Sequence, residues 1–69
     1  MKHKIRYSIK ELQDLLGYST PAGAQRALVS AGVIGRKQGK RIWYYIADMM
    51  VDAPMFYNSL LDVIERSDN

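Results

Sequence analysis

The sequence has no cysteine, one histidine (His3), and no run near the roughly 18 consecutive apolar residues that a membrane-spanning helix needs. The first absence excludes disulfides and thiolate metal sites. The last excludes a transmembrane segment, and the basic start, Met1 to Arg6, leads into no apolar run of signal-peptide length. The expectation is a cytoplasmic protein with no membrane partner. No glycine-rich phosphate loop follows a strand-like segment. The acids fall on solvated helix positions or in the tail, and 69 residues rarely enclose a sheltered pocket. An enzyme is therefore not expected, and no catalytic residue, metal ligand or cofactor is assigned.

Acid is also scarce where base is plentiful. From Met1 to Tyr45 nine Lys or Arg stand against Glu11 and Asp14, a balance of +7. From Ile46 onward Arg66 stands alone against five acids, a balance of −4. The overall charge of +3 conceals this split, which suggests a polyanion-binding front with an unrelated element behind it. The 48% hydrophobic and 25% charged composition is that of a globular chain, and its length allows one domain, 1–69.

Along that chain the periodicity changes three times. Lys4 to Tyr7 alternates charged and apolar residues, as a short strand does. Ser8-Ile9-Lys10-Glu11 has the form of a capping box, and the helix it opens gathers Ile9, Leu12, Leu15 and Leu16 on one face until Gly17. Thr20 as N-cap and Pro21 as first residue start a second helix. Its inward stripe is Ala24, Ala27, Leu28 and Ala31, and Gly32 stops it. Only Tyr18-Ser19-Thr20 lies between Gly17 and Pro21, so the two helices cross steeply, as in a helix-turn-helix over 8–32. A hairpin over 33–46 follows. Val33 to Arg36 and Lys40 to Ile46 read as strands around Lys37-Gln38-Gly39, with Ile42, Tyr44 and Ile46 on one face. Gln38 is a poor partner for a two-residue primed turn, so a looser loop is equally compatible. After an apolar link at Met49, Met50 and Val51, a last helix is predicted over about 54–66. The fold class is α+β: short N-terminal strand, two-helix unit, β-hairpin and C-terminal helix.

Glu11-Leu12 through Leu16-Gly17, Ala27-Leu28 through Gly32-Val33-Ile34, and Gly39 with Trp43-Tyr44-Tyr45 resemble the bacterial winged helix-turn-helix regulators. The likeness covers roughly residues 7 to 46. Excisionase and MerR-like modules of this size are similar too, although the second helix lacks the Arg and aromatic spacing of the MerR type. The resemblance implies double-stranded DNA as partner, for transcriptional regulation or as an accessory factor in recombination.

In that frame the second helix would lie in the major groove with Ala22, Gln25, Arg26, Val29 and Ser30 outward. Arg26 can bond guanine and Gln25 adenine bidentately, so Gln25 and Arg26, with Ser30 and Ala22 beside them, are the candidate base readers. Plain solvated helix positions are the alternative. Ser19 and Thr20 are candidates to hold a phosphate at the helix N-terminus, or simply to cap it. Small Ala22 and Gly23 fit close approach either to a groove or to the first helix. Arg36, Lys37, Lys40 and Arg41 concentrate four charges in six residues, as a phosphate-binding wing or an ordinary solvated hairpin tip would, and Lys2, Lys4 and Arg6 either extend the same face or fray as a disordered end. His3 reads as a surface residue near a frayed end. Tyr44 belongs to the core by its face, while Trp43 and Tyr45 either cover the last helix or mark an interface. The last helix has a wide apolar arc. Phe56, Leu60 and Val63 either form a homodimer interface or pack back across Trp43 and Tyr45. An RNA- or ribosome-associated winged helix and a protein-interaction module are the rival functions.

Overall fold

Ser8 closes one element and opens the next. In the computed structural model, which describes residues 3–67, it ends strand β1 (Arg6–Ser8) and caps helix α1 (Ile9–Leu16). The Glu11 amide donates to the Ser8 hydroxyl at 3.2 Å, and the Ser8 amide donates to the Glu11 carboxylate at 3.1 Å. Two otherwise free amides are thus satisfied reciprocally. Lys4, with these contacts from Ser8, draws the Glu11 carboxyl below its ordinary range. Gly17 and Gly32 end α1 and α2 (Pro21–Ala31) in left-handed conformations, and the Thr20 hydroxyl accepts from the Gly23 amide at 3.1 Å.

The hairpin differs from its prediction in where its strands and turn lie. Its strands are β2 (Arg36–Gln38) and β3 (Arg41–Tyr45), paired Arg36 to Trp43, Lys37 to Ile42 and Gln38 to Arg41. Gly39 and Lys40 alone form the turn. Gly39 has φ +65°, and no residue type other than glycine among those described has positive φ. One left-handed residue at the first turn position is the pattern of a tight II′ hairpin, so the looser loop is corrected. Gln38 is the last strand residue and not a turn residue. Val33-Ile34 is no strand either: Val33 is buried under the helices, while Ile34 is 66% exposed. Gly35 explains how the hairpin seats. A Cβ there would come within 2.4 Å of Ile42 Cγ2 and 2.9 Å of Tyr44 Cε1, so only a bare backbone can lie against those side chains.

β1 pairs antiparallel with the other edge of β3, giving the order β1-β3-β2. One face of the sheet sends Tyr7 and Tyr44 into the core. Ile42, expected on that face with Tyr44 and Ile46, is 43% exposed and borders the grooves between the hairpin and α2. The other face carries Arg6, Arg36, Gln38, Trp43 and Tyr45.

The acidic third departs from expectation twice. Tyr45 ends β3 and serves as N-cap of α3 (Ile46–Asp52), a helix where only an apolar link was expected. α4 (Pro54–Ser67) then returns over α3 and α1. Leu60 is fully buried in the same core as Leu12, Leu28 and Met49, and Phe56 packs against that core. Burial of a leucine contributes roughly 1.5–3 kcal/mol. Leu60 is therefore part of the chain's own interior and not a dimer face, and Phe56 and Val63 are half-buried beside it. Nor is α4 chiefly a cover for Trp43 and Tyr45. The result is a small α+β fold, with a three-stranded antiparallel sheet and four helices among the described residues.

Candidate functional site

α2 buries Ala24 and Leu28 and turns its opposite side outward. Ala22, Gln25, Arg26 and Ser30 are exposed there and, with Val29, line a shallow groove of about 430 Å³. At the head of the helix Thr20 is engaged as its cap, while Ser19 is exposed. Gly23 faces its own cap rather than α1: a Cβ would meet Thr20 Oγ1 at 3.3 Å and Tyr18 at 3.7 Å.

A larger open groove, about 720 Å³, runs from the start of α1 past Gln25 to the hairpin turn. Lys10, Lys40 and Arg41 line it together. Helical spacing alone makes Lys10 an ordinary solvated position. Its place opposite the turn follows from the strand order, for which the sequence carries no local signal.

The basic residues separate into two populations. In the first, Arg36 donates twice to Asp48, both at 2.8 Å, and its guanidinium lies 4.9 Å from the Tyr45 ring. This pairing with Asp48 holds Arg36 still more firmly charged. Arg6 stacks 4.0 Å over Trp43 and donates to Gln38 Oε1 at 2.8 Å and to the Tyr45 hydroxyl at 3.4 Å. Lys4 pairs with Glu11. Three of the expected phosphate contacts, Lys4, Arg6 and Arg36, are thus engaged within the chain, and Trp43 and Tyr45 serve as platforms for arginines. Lys2 lies outside the described residues.

The second population is Lys10, Arg26, Lys37, Lys40 and Arg41. None of these makes a side-chain hydrogen bond or ion pair among the described residues, and all are exposed. They sit on α1, on the outer side of α2 and around the hairpin turn. The acids Asp14 and Asp52, unpartnered among the described residues, lie elsewhere, Asp14 lining a separate groove near Ile64 and Ser67.

No protein-family model, curated protein or solved structure matches this chain. No group of three His, Asp or Glu among the described residues converges on a metal-sized site, and no described helix is long and apolar enough to cross a membrane.

The two tyrosines of β3 show how different the faces are. Burial pushes the Tyr44 hydroxyl above its ordinary range. Hydrogen bonds from Arg6 and Gln38 draw the Tyr45 hydroxyl below it.

Proposed function

We propose that this chain is a cytoplasmic winged helix-turn-helix protein that binds double-stranded DNA without catalysing a reaction, as a small transcriptional regulator or a recombination accessory factor. The element order of β1, α1, α2 and the β2–β3 hairpin is that of such a fold, with α2 as recognition helix and the hairpin as wing. The observation that carries the proposal is the placement of the five unpartnered cations, Lys10, Arg26, Lys37, Lys40 and Arg41. Free cations held near one another repel, and a polyanion relieves that repulsion.

Labour divides between the two elements. Lys40 lies in the turn and Arg41 directly after it, where both can reach backbone phosphates, which gives affinity without sequence choice. Gln25 and Arg26 project from a helix of major-groove width and supply choice. Arg26→Ala is expected to cost roughly 1–3 kcal/mol on a preferred duplex, little on a scrambled one, and to relax one base pair. Titration of wild type and variant against both duplexes at two salt concentrations tests this. Equal losses on the two sequences would remove base reading by α2 and favour structured RNA or a protein as the partner.

A further inference from the structure

Val29 is the only large apolar side chain that α2 leaves exposed, at 70%. A lone exposed valine needs no explanation. This one is not alone. It shares a groove of about 490 Å³ with Ile34 and Ile42, which are 66% and 43% exposed, so an apolar strip runs from the outer side of α2 to the hairpin. Gln25 lies one helical turn before Val29, on the same side of the helix. Both residues line this groove and the shallow one on the other flank of α2, and Gln25 also lines the large groove toward the turn. Gln25 and Val29 therefore form the crest between the grooves, the part of α2 that would reach deepest into a groove of nucleic acid. The Gln25 amide makes no hydrogen bond among the described residues, so its donor and acceptor are both available.

A crest with one amide and one branched aliphatic tip matches a particular chemistry. In the major groove, adenine offers an acceptor at N7 and a donor at N6, which a glutamine amide meets with two bonds. Thymine offers a 5-methyl group, the only apolar patch on any base edge there. Resting on the proposal that α2 enters the major groove, we infer that Gln25 and Val29 together select an A·T-containing step, Gln25 bonding adenine and Val29 covering a thymine methyl. The unpartnered Arg26, Lys40 and Arg41 around the crest supply the charge that brings a duplex to it. Because uracil lacks the methyl, the same contact favours DNA over RNA of equivalent sequence.

The test uses the full chain and a duplex selected from a randomised pool. Each thymine is replaced in turn by deoxyuridine, which removes one methyl, and each adenine by 7-deazaadenine, which removes N7. At one thymine the wild type is expected to lose affinity about fourfold, the effect of one methyl-sized apolar contact. Val29→Ala should bind the thymine and deoxyuridine duplexes equally, near the wild-type value for deoxyuridine. One 7-deazaadenine should weaken the wild type and leave Gln25→Ala unaffected. Both residues are exposed, so the variants are expected to fold, which circular dichroism checks. If every deoxyuridine duplex binds the wild type unchanged while Arg26→Ala still relaxes a base pair, the Val29 assignment is overturned and base reading by α2 survives. If the wild type prefers no duplex over a scrambled one, base reading and this inference fall together.

Discussion

The outer face of the sheet and the crest of α2 with the hairpin turn contain the same kinds of side chain in opposite conditions. On the sheet, Arg36 is clamped to Asp48, Arg6 is stacked on Trp43, and Gln38 donates to the Tyr45 hydroxyl at 2.8 Å. On the crest and turn, Arg26, Gln25, Lys40 and Arg41 bond no partner among the described residues. Four basic residues within six positions look equivalent in the sequence, yet one of them, Arg36, holds strand to helix while three are available. What distinguishes them is distance along the ribbon from α3, since Arg41 shares a pleat face with Arg36. Arg36 reaches a carboxylate on α3, whereas Lys40 and Arg41 lie at the turn end of the ribbon, on an open groove shared with Lys10 and Gln25.

The largest effect expected to break this contrast comes from Gly35→Ala. The added Cβ would overlap Ile42 and Tyr44, and overpacking of this kind costs about 1–3 kcal/mol. A lower melting temperature by circular dichroism, with weakened DNA binding because the hairpin has shifted, is the expected result. The double change Lys40→Ala and Arg41→Ala should leave melting unaltered and weaken all duplexes alike. The slope of log affinity against log salt should flatten by about 0.9 for each phosphate that is no longer neutralised. Arg36→Ala is the converse variant: a small drop in melting temperature and an unchanged salt slope. Should Arg36→Ala flatten the slope as much as Arg41→Ala, the division into engaged and available cations would not hold.

The smallest effect is spectroscopic. Tyr45, drawn down by Arg6 and Gln38, is expected to ionise before Tyr44, held up by burial, as alkaline pH is scanned by ultraviolet absorbance. The signs are opposite for stability. Tyr44 favours the folded state below its ordinary pKa near 10, and that contribution disappears as pH rises through its raised folded value. Tyr45 contributes in the other direction, stabilising as pH rises through its lowered folded value toward 10. Tyr44→Phe and Tyr45→Phe should each remove one of the two transitions.

Local signals in the sequence are reliable where the structure they encode is local. The capping box at Ser8 and Glu11, the Thr20-Pro21 start and the Gly17 and Gly32 stops describe contacts within four residues, and each is present. Elsewhere the decisive partner is distant. β2 has three exposed polar residues and no alternation of its own; it is a strand because β3 offers it a register. α3 has no side-chain cap at Tyr45, and Ile46 continues the alternation of Ile42 and Tyr44, so strand periodicity runs past the point where the backbone turns helical. In α4 the apolar arc is legible, but not that α1 and α3 cover Leu60. In the site, exposure of Gln25, Arg26 and Ser30 follows from helical spacing alone. The Arg36–Asp48 pair spans twelve residues and has no signature within either segment.

β1 hands over to α1 at Ser8, and β3 hands over to α3 at Tyr45, in each case without an intervening residue. Two such junctions gear the sheet to the helices like splined shafts. Because successive helical residues are rotated by about 100°, one residue inserted after Ser8 would swing α1 by that angle and carry Leu12 out of the interior. Insertion at the Gly39-Lys40 turn meets no gear, since the ribbon there ends in solvent. Variation in length is thus tolerated at the tip of the hairpin and forbidden at the strand-to-helix junctions.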